Sequence, residues 1–172
     1  MFLNLKNEIM IKDTFDWYNG EIFEGRFILG FGLILIISSL LFYFFGSAPS
    51  AKALLIPLLV IGLFFAVTGI TMVNSNSKKM AKVEQIFQED NKAFVKTEIK
   101  RVEGFQYLYP LSIGVSAVSF IVALSLLYFS KSVNLQAIAM ALIIFGAGFA
   151  FIDYFSKERA TIYYEKLTHF KH

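Results

Sequence analysis

Polar and apolar positions fall in alternating blocks along this chain. Four uncharged apolar runs, at residues 27–46, 53–73, 109–129 and 135–152, are each about as long as a bilayer-spanning helix. They come as two pairs. A short turn around Pro49 separates the first two runs, and another at 130–134 separates the last two. Between the pairs lies one long polar stretch, residues 75–108. A mixed segment of residues 1–26 precedes the first pair, and a polar tail, 153–172, follows the second. The pattern predicts an all-α polytopic membrane protein. It has four transmembrane helices in two hairpins, 27–74 and 109–152, with amphipathic cytoplasmic helical extensions.

The central stretch has helical periodicity. At about 100° per residue, Met80, Val83, Phe87, Phe94, Val102 and Phe105 share one stripe. Lys78, Lys82, Lys92, Lys96 and Lys100 fall on the opposite side. One amphipathic helix fits, or two helices broken near Asp90-Asn91. Lys92, Lys96 and Lys100 are spaced four apart, where like charges repel mildly. Anionic lipid head groups or an acidic partner would relieve that repulsion. The plainer reading is a solvated face. In the opening segment, Trp17 and Tyr18 suit a membrane–water interface, so a short helix lying on the surface is expected there. In the tail, Ile162, Tyr163, Leu167 and Phe170 share a side, which predicts that the last helix runs past the membrane and packs on the central stretch.

Charge sets the threading. Of the 16 Lys and Arg, only Lys52 and Lys131 lie in the two short turns. The positive-inside rule therefore puts both termini and the central stretch in the cytoplasm. The opening segment is acidic and long, unlike a signal peptide, which fits a bacterial inner membrane. The composition agrees with the membrane reading: 56% hydrophobic residues, 20 Phe and a mean hydropathy of +0.61. The chain has no Cys, which removes disulfides and thiolate chemistry.

Candidate chemistry is sparse. No charged residue lies inside the four runs, which argues against pumps and coupled carriers. No phosphate loop, nucleophile elbow or di-metal motif is present, and no cofactor or metal is expected. His169 and His172 sit at the chain end and make poor ligands. Glu21, Glu24, Glu103, Asp153 and Glu158 gather near the inner face, with Arg26, Arg101 and Arg159 at similar depth. They form either interfacial ion pairs or a head-group site. The candidate head-group or partner contacts are thus Lys92, Lys96, Lys100, Arg101, Arg26 and Arg159. Small residues form two ridges: Gly62, Ala66 and Gly69 in the second run, and Ser112, Ser116, Ser119 and Ala123 in the third. Such ridges pack helices within one bundle, or serve self-association or another membrane protein. The two hairpins also look faintly alike, Ser39–Tyr43 beside Ser125–Phe129.

These features point to a non-catalytic integral membrane interaction protein, working as a subunit, adaptor or protective partner. Its partners would be the bilayer, anionic head groups, a second copy or another membrane protein, and no nucleic acid. An alternative is a homo-oligomeric channel or carrier for a small uncharged or lipid-like solute, lined by Ser112, Ser116 and Ser119. A third possibility is a lipid-directed enzyme using Glu21, Glu24 or Glu103.

Overall fold

The computed structural model describes the backbone of residues 2–171 and the side chains of residues 5–170. Six helices follow one another: α1 (Phe2–Phe45), α2 (Pro49–Ala53), α3 (Leu55–Met80), α4 (Val83–Glu89), α5 (Asn91–Phe129) and α6 (Val133–Lys171). There is no strand among the described residues. α1, α3, α5 and α6 are each long and apolar enough to cross a membrane, so the chain is an all-α, multi-pass membrane protein. Their outward faces carry large exposed apolar side chains such as Phe45, Ile113, Ile121 and Leu124, the surface that lipid tails cover.

The opening segment is not a separate surface helix. α1 runs unbroken for 44 residues, about 66 Å, through the mixed segment and the first apolar run together. Residues 20–27 contain no Pro, and packing against α4, α5 and α6 holds the extension of α1 in place. The central stretch is divided twice. The expected break near Asp90-Asn91 is present. Asp90 is extended (φ −155°, ψ 97°), and its carboxylate accepts the Ala93 N–H at 2.9 Å, which caps α5. A second break, at Ala81-Lys82, has no Pro, Gly or capping side chain to announce it. Pro110 lies inside α5.

Close helix approach sets the first hairpin. A Cβ on Gly32 would lie 2.5 Å from the Ala66 nitrogen and 2.7 Å from the Gly62 carbonyl oxygen. A Cβ on Gly69 would lie 2.5 Å from the Leu29 nitrogen and 2.6 Å from the Gly25 oxygen. Only glycine lets α1 and α3 run backbone to backbone in this way. In the second hairpin Ser112, Ser116, Ser119 and Ala123 are buried, and Gly146 of α6 sits against Ser116 and Ser119. α6 is the element that touches both hairpins, whereas α3 and α5 scarcely meet.

Two separate cores result. One lies within the apolar spans, around Ile28, Leu35, Leu58, Phe65 and Ala141. The other lies in the polar extensions and joins Met10, Trp17 and Tyr18 of α1, Val83 and Phe87 of α4, Phe94 and Val102 of α5, and Tyr163 and Leu167 of α6. Trp17 and Tyr18 are therefore core residues, 5% and 2% exposed, and not interfacial ones. Trp17 stacks on Tyr163 at 5.1 Å. The predicted tail stripe holds at Tyr163 and Leu167, with Phe170 partly buried, but Ile162 is half exposed and Ala160 is buried in its place.

Candidate functional site

The extensions of α1, α4, α5 and α6 form a helical cap with its own polar centre. Glu98 lies at that centre, 5% exposed. It accepts from Arg101 at 2.5 Å, from the Tyr163 hydroxyl at 3.1 Å and from the Tyr18 hydroxyl at 3.3 Å. Thr14 Oγ1 stands 3.0 Å from the same Tyr163 oxygen. Arg101 also covers the face of the Tyr18 ring, 4.5 Å from its centroid. One carboxylate thus ties α1, α5 and α6 together. Burial first, and the charge of Glu98 second, raise both phenols above the ordinary tyrosine range, so they stay protonated and donate. Buried polar groups on this scale are stable only when paired, and here most of them are.

A second set of ion pairs fastens α6 to α1. Arg159 pairs with Glu24, and with Glu21 at 3.2 Å. Gly20 leaves the room for its guanidinium, since a Cβ there would lie 3.2 Å from Nε. Lower down, Lys166 meets Asp13 at 2.6 Å. The Tyr164 hydroxyl donates to Glu103 at 3.1 Å, which ties α6 to α5. Burial pushes the Glu21 carboxyl above its usual range; Arg159 opposes this but does not cancel it.

The six predicted contact residues therefore divide by position. Arg101 and Arg159 are engaged within the cap. Arg26 is exposed on α1, at the lower end of the first apolar run. Lys92, Lys96 and Lys100 are exposed along one side of α5, and none has an ion-pair partner among the described residues. The ridge residues lie within the molecule. Gly62, Ala66 and Gly69 are buried against α1, Ser116 and Ser119 are buried against Gly146 of α6, and Ser112 is buried too. Ser112 and Ser119 donate to the carbonyls of Tyr109 and Val115 on their own helix. No group of three or more His, Asp or Glu suited to a metal ion occurs among the described residues, and His172 lies outside them.

Sequence reasoning missed three features. Glu98 lies between lysines on a polar helix and reads as a solvated charge; only its burial reveals it. The glycines Gly25 and Gly32 went unremarked, although their seven-residue spacing matches that of Gly62 and Gly69. The third is a cleft of about 700 Å³ between α3 and α5. Its floor is formed by α6 and α1, with Phe149, Ile152, Asp153 and Ser156 from α6 and Glu21 and Glu24 from α1. Comparison with protein-family models, with curated proteins and with solved structures finds no match to this chain.

Proposed function

We propose that this chain is a non-catalytic interaction protein of a bacterial inner membrane, a subunit, adaptor or protective partner, with both ends and the cap in the cytoplasm. The observation that carries this reading is the free lysine row on a buttressed cap. Lys92 precedes residue 109, the start of the third span, by 17 positions. That is about 25 Å of continuous helix. The electrostatic reach of a membrane surface at physiological salt is about 8 Å. Lys92 therefore stands too far below the head groups to be held by them. An acidic protein surface is the ligand that suits a row of like charges held at that height. Arg26, at the lower end of the first span, is placed for anionic head groups.

The test is gentle extraction at native expression level, followed by native mass measurement and identification of what co-purifies. The triple variant K92E/K96E/K100E should fold and insert as the parent does. It should lose a stoichiometric partner that the parent retains, because no ion pair ties the row to the chain among the described residues. A variant that keeps the same partner at the same stoichiometry would remove the lysine row from the interface. A second reading, a homo-oligomeric carrier for a lipid-like solute, draws on the cleft between α3 and α5. Of the serine ridge only Ser112 lines that cleft. Flux from the purified protein alone, with no partner in the native extract, would favour this second reading.

A further inference from the structure

The cleft has the polarity profile of an amphiphile. Along α3 its wall passes from Phe64 and Val67 through Thr68 and Thr71 to Ser75, Asn76 and Lys79. Phe64, Thr68, Thr71, Ser75 and Lys79 follow at three- and four-residue intervals, with Val67 and Asn76 beside them, so they form one stripe on one face, about 22 Å long. Across the gap, α5 presents Val115, Leu111 and Leu108, and the floor on α6 turns from Phe149 and Ile152 to Asp153 and Ser156. One end of the cleft is hydrocarbon, and the other carries hydroxyls, an amide and charges. A gap between two spans in a bilayer is filled by lipid, and a volume of about 700 Å³ lies within the range of small-molecule sites.

The charges at the polar end specify the head group. Glu21 and Glu24 are taken up by Arg159. Lys79 on the α3 wall and Asp153 on the α6 floor are left with no ion-pair partner among the described residues, one cation and one anion. We propose that this cleft binds one zwitterionic phospholipid of the inner leaflet, with one acyl chain between α3 and α5, the other in the bilayer, and its neutral head group among the polar and charged side chains at the cytoplasmic end. An anionic phospholipid matches Lys79 but leaves Asp153 unpaired and brings a further negative charge toward Glu21 and Glu24. The site is independent of the lysine row, which lies on another face of α5 and is not part of the cleft lining.

The experiment uses the full chain in nanodiscs of equimolar phosphatidylethanolamine and phosphatidylglycerol, released into mild detergent, with retained lipid counted by native mass spectrometry. One phosphatidylethanolamine should remain bound in preference. K79Q and D153N should each lower that preference about threefold, the worth of one partly exposed charge pair. T71F, which fills the cleft from an exposed position, should abolish retention without changing the thermal unfolding temperature. If T71F does not fold, V115F fills the cleft from the opposite wall. Trp17, the one tryptophan, lines the polar end of the cleft, so a phospholipid spin-labelled on its head group should quench its fluorescence in the parent and not in the filled variant. Equal retention of the two lipids, preference for phosphatidylglycerol, or undiminished retention in a folded, filled variant overturns the proposal.

Discussion

Glu98 is the residue on which the cap converges, and its substitutions separate charge from hydrogen bonding. Leucine there would leave Arg101 buried beside apolar neighbours and the Tyr18 hydroxyl without an acceptor, with Thr14 Oγ1 alone remaining for Tyr163. Removing one member of a buried ion pair costs about 3–5 kcal/mol. E98L should therefore lower the thermal midpoint of the detergent-solubilised protein sharply. E98Q keeps an acceptor for the tyrosines and should lose clearly less. Near-ultraviolet circular dichroism reports the transition, because Trp17 and Tyr163 stack in the same core. Equal midpoints for both variants and the parent would show that the network carries no stability. In the sequence Glu98 was unreadable for a physical reason. Its neighbours Lys96, Thr97 and Lys100 are exposed, and local polarity does not distinguish a carboxylate that turns inward from one that turns out.

At the scale of elements, the α1–α3 hairpin depends on backbone contact and not on side-chain volume. G32A introduces a methyl where the nearest atoms are backbone, 2.5 and 2.7 Å away, so α1 and α3 must separate. Overpacking of this kind costs about 1–3 kcal/mol. G30A, on the same helix with nothing within 4 Å of its Cβ, should be neutral or mildly stabilising. Thermal unfolding of the pair checks this, and a matched loss in both would place the effect in the helix itself. The ridge Gly62, Ala66 and Gly69 was visible as a small-residue pattern. Its partner was not, since small residues mark close approach without naming the helix that approaches. The serine ridge was equally visible, and its packing against α6 leaves little of it to line a path.

Over the whole molecule, the cap is fastened to the bundle by groups that titrate, and Glu21 shows the sign. Burial raises its carboxyl above the value of the unfolded chain, so the folded protein holds this proton more tightly. Its contribution to stability is fully present below the ordinary glutamate pKa and is lost as pH rises through the raised one. Across that window E21Q should flatten the dependence of the thermal midpoint on pH, and at neutral pH it should lose little, because Arg159 keeps Glu24. A parent and variant with parallel pH profiles would assign the dependence to other groups. The same clamp joins α6 to α1 at the junction of cap and bundle.

The pattern of residues alone determined the four spans, the helical class and the two small-residue ridges, and it offered the break at Asp90 as one of two readings. Each depends on local chemistry: run length against bilayer thickness, an acidic cap, and the absence of side-chain bulk. The positive-inside argument for a cytoplasmic cap also rests on the sequence alone. The tertiary structure decided the rest. It turned Trp17 and Tyr18 from an expected surface belt into core, merged the opening segment into α1, buried Glu98 and paired Arg101 and Arg159. It also left α3 and α5 apart, with a cleft between them. These outcomes depend on which helix lies beside which. An amphipathic stripe shows that a face will be covered, but the covering surface is chosen by the packing of the whole chain.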